Sequence, residues 1–94
     1  MDNLKIVWSK TALNSLQSIY EFHVINSKTS AENIISEIYN APDSIAFPYQ
    51  HQIDPIYSNY RRIIVRDYKI LYEYLYNVIN IVDIISSKQN PKII

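Results

Sequence analysis

The segment YRRIIVRDYKILYEYL, residues 60–75, decides the fold of this chain. Both of its halves are rich in β-branched and aromatic residues, which favour strands. Between the halves, Arg66-Asp67 has the length of a two-residue hairpin turn. The segment therefore predicts a β-hairpin in which Tyr60 to Val65 pairs with Tyr68 to Leu75.

The two-residue period of a strand divides the side chains of this hairpin between two faces. A turn at Arg66-Asp67 sets Val65 opposite Tyr68 and Ile63 opposite Ile70. We expect the apolar face to pack on the core, and the mixed face is the one to search for function. The apolar face holds Ile63, Val65, Tyr68, Ile70 and Tyr72, with Arg61 near its end, and the mixed face holds Arg62, Ile64, Lys69, Leu71 and Glu73.

The rest of the chain predicts two more strands and a helical pair. Residues 4–8 alternate as a strand does, and residues 78–85 form another strand after a turn at Tyr76-Asn77. Apolar residues at helical spacing predict a helix over 10–25 that is capped by Ser9. The segment Thr29-Ser30-Ala31-Glu32 has the form of a capping box. It predicts the start of a second helix, which ends near residue 40.

This order predicts an α+β fold, β-α-α-β-β-β, with two N-terminal helices packed on one face of an antiparallel sheet. A chain of 94 residues is long enough for a single domain, over residues 1–94. Residues 41–59 hold three prolines and predict a loop with a short edge strand near 50–53.

Composition excludes several kinds of site. The chain has no glycine, so phosphate-binding glycine loops are excluded, and no cysteine, which fits a reducing cytoplasm. His23 and His51 are too far apart in sequence to suggest a metal site, and no cofactor is predicted. No signal peptide is visible, and the apolar runs are too short for a bilayer. We therefore predict a cytoplasmic protein without membrane contact.

Charge argues against a surface built for nucleic acid. The formal net charge is zero, although residues 1–54 have an excess of acidic residues and residues 55–94 an excess of basic ones. Proteins that bind phosphate backbones carry a clear positive excess.

Several single residues have an ordinary structural interpretation beside a functional one. His51 has the right chemistry for acid–base catalysis, but a surface histidine is the simpler interpretation. His23 lies near a helix end, where the helix dipole favours it. Exposure of Phe47, Tyr49 and Ile56 would mark a surface for a partner protein or for self-association.

Three stretches, IVWSKTAL, YRRIIVRDYKILYEY and IVDIISSKQNP, together resemble the RelE/ParE family of toxins from type II toxin–antitoxin systems. The order and spacing of these stretches carry the resemblance, which covers nearly the whole chain. It implies a small α+β domain with two helices on an antiparallel sheet. It also implies a cognate antitoxin that wraps around the toxin in a hetero-oligomer.

The resemblance implies one of two targets. RelE-like members cleave mRNA in the ribosomal A site, whereas ParE-like members inhibit DNA gyrase. A RelE-like chain would use Lys69, Lys88 and Arg62 as catalytic cations, because the two lysines stand where those nucleases have arginines. The residues expected to contact either target are Arg61, Arg62, Lys69, Lys88 and Tyr60.

Two departures from the RelE pattern favour ParE-like binding. No aromatic residue or histidine follows Tyr76, although RelE-like enzymes use one there as an acid–base group. Lysine also cannot clamp a phosphate bidentately, as arginine does. A ribosome-dependent mRNA endonuclease is the alternative, and an inactive toxin-like scaffold in an autoregulatory complex is the third hypothesis. Whether the chain is an enzyme stays open.

Overall fold

A computed structural model describes residues 4–88 and confirms the predicted α+β fold. Two helices pack on one face of a four-stranded sheet, and the strands are hydrogen-bonded in the spatial order first, fourth, third, second. In chain order the elements are β1 (Lys5–Trp8), α1 (Lys10–Val24), α2 (Lys28–Asn40), a short 3-10 helix (Ala41–Ser44), β2 (Arg61–Val65), β3 (Tyr68–Leu75) and β4 (Val78–Ser86).

The central hairpin has the predicted register. Val65 pairs with Tyr68 and Ile63 pairs with Ile70 in the antiparallel β2–β3 ladder, and β4 continues the meander antiparallel to β3. Because the register is as predicted, the division of the hairpin into two faces is confirmed as well.

The first strand corrects the prediction of a wholly antiparallel sheet. β1 lies beside β4 and runs parallel to it, from Lys5 opposite Val78 to Trp8 opposite Ile81, so the sheet is mixed. Two parallel strands that lie side by side need a long crossover connection. Here residues 9–77 form that connection between β1 and β4. The sequence of a strand contains no signal for which edge of the sheet it will join.

A β-bulge in β4 adjusts which residues enter the core. Strict alternation after Ile81 would direct Asp83 inward. The register shifts at Val82, because Ile81 pairs with Tyr72 of β3 and Asp83 pairs with the adjacent Leu71, which leaves Val82 unpaired. Ile84 therefore enters the core, and Oδ1 of Asp83 accepts a hydrogen bond from the Ser15 hydroxyl at 2.6 Å.

The core lies between the helices and the apolar face of the sheet, and isoleucine dominates it. Partly buried side chains such as Trp8 pack at the edge of the core, and the Trp8 ring stacks on Tyr39 with 5.0 Å between ring centroids. The buried members of the core are Ala12, Ile19, Ile34, Ile38, Ile45, Ile63, Ile70, Tyr72, Ile79, Ile81 and Ile84.

The two helices begin at serine caps. Ser9 caps α1 as predicted, since its Oγ accepts a hydrogen bond from the backbone N–H of Ala12 at 3.0 Å. The capping box predicted from Thr29 is wrong. Ser27 caps α2 instead, because its Oγ accepts from the N–H of Ser30 at 3.1 Å, and Thr29 already lies inside the helix.

The loop over residues 45–60 forms no helix or extended strand, although the structure describes all of it. The edge strand predicted near residues 50–53 is reduced to one antiparallel bridge, between Ile53 and Arg61. Within residues 4–88, no helix has both the length and the apolar character needed to cross a membrane.

The absence of glycine leaves other residues to adopt left-handed backbone conformations at the turns. Arg66 has φ 53°, Tyr76 has φ 53° and Asn77 has φ 63°. Asparagine tolerates this region, but tyrosine pays a steric cost of about 1 kcal/mol or more there. The β3–β4 turn therefore stores avoidable strain at Tyr76.

Replacing Tyr76 by asparagine should stabilise the protein by about 0.5–1 kcal/mol, because asparagine enters the left-handed region more readily. The Tyr76 side chain is 94% exposed, so the change removes little packing. Thermal unfolding should show a midpoint raised by a few degrees, since about 1 kcal/mol corresponds to roughly 4–8 °C in a domain of this size. Tyr76→Ala is the matched control, and equal stability of the two variants would contradict the strain argument.

Candidate functional site

Two of the predicted functional cations meet at one buried carboxylate. The Lys69 ammonium is 2.7 Å from Oδ1 of Asp54, and a guanidinium nitrogen of Arg62 is 3.9 Å from the same oxygen. Asp54 is fully buried and Lys69 is 7% exposed. The mixed face of the hairpin thus contains an ion-pair cluster, which we call the Asp54 cluster: Asp54, Arg62 and Lys69.

The course of the loop explains why Asp54 reaches this face. The loop runs antiparallel along β2, with the N–H of Asp54 donating to the Tyr60 carbonyl at 2.9 Å and the N–H of Arg62 donating to the Gln52 carbonyl at 3.0 Å. Since side chains alternate along such a pair, Asp54 lies on the face of Arg62 and Lys69.

Both carboxylate oxygens of Asp54 are engaged. Oδ2 accepts hydrogen bonds from the backbone N–H groups of Ile56 at 2.9 Å and of Tyr57 at 2.8 Å, which closes the loop into a local turn. Burial by itself raises the pKa of Asp54. The ion pair with Lys69 and the two backbone donors outweigh burial and hold the pKa of Asp54 below its ordinary value.

The Asp54 cluster changes what Lys69 can do. Its ammonium is compensated by Asp54, and the Tyr57 ring lies beside it, 5.9 Å from nitrogen to ring centroid. Lys69 lies on the mixed face, as the predicted register requires, but the loop covers it there, so its side chain is not open to solvent. A role for Lys69 in binding a target stays a prediction.

Lys88 does not join the Asp54 cluster. Its ammonium lies 3.5 Å from the carboxylate of Asp67, and both side chains are exposed. It borders a hollow of about 570 Å³ between α1 and the sheet, which Phe22 and His23 also line. Of the three cations that a RelE-like chain would use, only Arg62 and Lys69 therefore lie together.

Arg61 lies on the opposite face of β2, at the edge of the core, as predicted. Its guanidinium donates to the backbone carbonyl of His51 at 2.8 Å and stacks over the Tyr49 ring, 4.8 Å from its centroid. Tyr60, the last of the predicted contact residues, is partly buried, and its N–H donates to the carbonyl of Tyr57 at 3.0 Å.

The two histidines have separate environments. The His51 ring packs edge-on against Tyr72, with 6.2 Å between centroids, and desolvation lowers its pKa. Nε2 of His23 lies 2.7 Å from the Tyr68 hydroxyl, a contact between α1 and β3 that sequence reasoning missed. Within residues 4–88, no group of three or more histidine or carboxylate side chains could hold a metal ion.

Sequence reasoning also missed Asp54, although a signal for it exists. Asp54 is the single charged residue of the loop over residues 45–60, and it stands before Pro55 in the sequence DPIY. An aspartate in such a position hydrogen-bonds the backbone two and three residues ahead. A lone charge in an otherwise uncharged loop also needs a counter-charge if it is buried.

Comparison with known proteins identifies the family. The family model described as the ParE toxin of a type II toxin–antitoxin system, parDE, matches residues 6–91. The match places the chain in the class of type II toxin–antitoxin toxins. Within that class it belongs to the ParE toxin family, which confirms the resemblance found in the sequence.

A solved structure shares this fold. It is described as the chromosomal ParDE TA system from P. aeruginosa, and the chain matches it at 16% identity with a TM-score of 0.75. The match covers 89% of this chain and 96% of that chain, and at this identity it shows the fold alone. A comparison with the curated proteins gives no match.

Replacing Asp54 by asparagine should lower the free energy of unfolding by about 3–5 kcal/mol, because the Lys69 ammonium is then buried without a counter-charge. Asparagine keeps an acceptor for the backbone donors, so the loss reports mainly on the charge. The double variant Asp54→Asn/Lys69→Met should recover much of the loss, as measured by urea unfolding. A double variant no more stable than Asp54→Asn would show that the ion pair is not the cause.

The lowered pKa of His51 predicts a pH effect on stability. The folded protein binds this proton less readily than the unfolded chain, whose histidine titrates near 6.5. The free energy of unfolding should therefore fall as pH drops through 6.5 toward the lower pKa of the folded state. His51→Gln should flatten this part of the profile in urea unfolding between pH 7.5 and 5. An unchanged slope would mean that His51 does not cause the fall.

Proposed function

We propose that this ParE-family toxin arrests growth by binding DNA gyrase, and not by cutting RNA. Membership of the family implies a cognate antitoxin as a partner. The observation that carries the choice of binding over cleavage is the burial of Lys69 against Asp54. A hetero-oligomer with the antitoxin is part of the proposal.

Cleavage of RNA through its 2′-hydroxyl requires a base, an acid and cations around the phosphate. The catalytic cations implied by the nuclease resemblance do not form such a group in this conformation. Asp54 neutralises Lys69, and Lys88 pairs with Asp67. His51 is partly buried, so desolvation disfavours its protonated form. These contacts support binding as the mode of action.

For the contact with gyrase we propose the residues predicted from sequence, with unequal weight. Arg61 and Arg62 are both partly exposed, and Tyr60 precedes them directly before β2. Lys69 would contribute only indirectly, through the placement of the loop. Lys88 is exposed but lies with Asp67, so it would add at most a weak electrostatic contact.

The purified chain should inhibit the supercoiling of relaxed plasmid by reconstituted DNA gyrase and should leave mRNA intact in a translation system reconstituted from purified ribosomes and factors. The two assays separate the proposed target from the ribosome, because each contains only one of them. Heat-denatured protein is the negative control in both assays.

Ribosome-dependent cleavage by the wild-type chain, lost in a folded Asp54→Asn/Lys69→Met variant, would overturn the proposal in favour of the endonuclease. Absence of both activities and of growth arrest on induction would overturn it in favour of the scaffold.

A further inference from the structure

The loop over residues 45–60 lies at the surface and exposes several large apolar side chains to solvent. Its single charged side chain, Asp54, is buried in the Asp54 cluster. Long loops without regular structure are uncommon and are usually functional, and exposed apolar groups that lie together mark interaction sites. The exposed apolar residues of the loop are Phe47, Tyr49, Ile53, Ile56 and Tyr57.

Hydrogen bonds hold this loop in one course across the sheet. The Tyr72 hydroxyl donates to the Pro48 carbonyl at 3.0 Å, and Arg61 donates to the His51 carbonyl at 2.8 Å. Further along the loop, Asp54 ties it to the hairpin. A surface fixed before binding loses less conformational entropy when a partner arrives. The loop is therefore preorganised.

Four side chains form one continuous patch, which we call the Tyr49 surface: Tyr49, Ile53, Arg61 and Tyr74. The Tyr49 ring packs edge-on against Tyr74, with 6.1 Å between centroids, and Arg61 lies over the same ring. Ile53 is opposite Arg61 in the antiparallel bridge. Tyr49 is 62% exposed and Ile53 is 51% exposed. Tyrosine and arginine are the residues enriched at the hot spots of protein interfaces.

Charge indicates what the Tyr49 surface would accept. Arg62 and Arg66 each lie within 4.0 Å of a carboxylate. Among residues 4–88, no acidic side chain lies within that distance of Arg61, whose guanidinium donates to the neutral backbone carbonyl of His51. A guanidinium stacked on an aromatic ring suits a carboxylate, which it can bind through two nitrogens. The complementary group is therefore a carboxylate next to apolar side chains.

We propose that the Tyr49 surface docks an apolar segment of the target protein, with a carboxylate of that segment bound to Arg61. The inference rests on the proposed function in one respect, since it takes the occupant to be the protein whose binding arrests growth. It assigns Ile53 and Tyr74 a role that the sequence did not predict. For Tyr49, whose exposure the sequence associated with a partner or with self-association, it names the target protein as the occupant.

Two other occupants fit the surface less well. A nucleic acid backbone needs several cations, and Arg61 is the single cation of the Tyr49 surface on a chain of zero net charge. A second copy related by a two-fold axis through the surface would bring two Arg61 side chains together without a carboxylate between them. A protein segment with its own carboxylate avoids both costs.

The test compares Tyr49→Ala and Ile53→Ser with Phe22→Ala, which truncates an aromatic side chain that is 67% exposed on α1. Growth arrest after tightly regulated induction and inhibition of reconstituted gyrase are measured for each variant. Each surface variant should raise the concentration that inhibits gyrase by about 10-fold, which corresponds to about 1.4 kcal/mol for a hot-spot residue. Phe22→Ala should behave as wild type, and all three should keep the wild-type unfolding midpoint within a few degrees.

Arg61 gives a second, electrostatic test. Arg61→Glu should abolish growth arrest, because it opposes the carboxylate of the partner. Arg61→Lys keeps the charge but lacks the planar fork, so it should retain part of the activity. Equal activity of the two variants would overturn the assignment of a carboxylate ligand.

The outcomes separate this inference from the proposed function. Growth arrest that depends on the Tyr49 surface, without gyrase inhibition by wild type, would retain the inference and overturn gyrase as the target. Gyrase inhibition that the surface variants leave unchanged would overturn the inference and retain the function. Binding of a single-stranded DNA oligonucleotide, or self-association in sedimentation, that is lost in Tyr49→Ala would also overturn it. Neither growth arrest nor inhibition by wild type would overturn both.

Discussion

The buried contact between Asp54 and Lys69 fixes the position of the loop over residues 45–60 on the sheet. Lys69 lies near the turn end of β3, an interior strand of the sheet, and the loop covers its side chain. An ammonium at such a depth requires an opposite charge at close range, because its desolvation costs several kcal/mol. The loop supplies that charge from its single acidic residue. The shape and charge of the surface around β2 therefore depend on this contact.

The ion pair specifies a position more than it adds stability. Bringing Asp54 and Lys69 out of water costs about as much as their attraction returns. The gain lies in uniqueness, since any other course of the loop would leave one buried charge uncompensated. The parts of the loop before and after Asp54 contact opposite faces of the sheet. Tyr57 lies beside Lys69 on one face of the sheet, and Tyr49 lies against Arg61 on the other.

Local features of the fold could be predicted from sequence, and non-local ones could not. The register of the hairpin follows from the length of the Arg66-Asp67 turn, and α1 begins where a serine precedes an apolar helical pattern. The parallel pairing of β1 with β4 joins residues far apart in the chain, so no local pattern encodes it. The bulge at Val82 is a property of the pairing between β4 and β3, so the sequence of β4 alone does not reveal it. The backbone turn at Asp54 has a local signal in the sequence, but its ion pair does not, because Lys69 lies in a different element.

Because Lys69 helps to place the loop, the loss of function in a Lys69 variant has two possible causes. The substitution removes a cation, and it also leaves Asp54 buried without its counter-charge, which can displace the loop and the Tyr49 surface with it. Replacement of both partners by neutral side chains separates the two causes, since it removes the cation without leaving an unpaired charge. A neutral pair that folds and retains activity would assign Lys69 to placement of the loop. A neutral pair that folds with the loop in place and loses activity would show that the ammonium itself contacts the target.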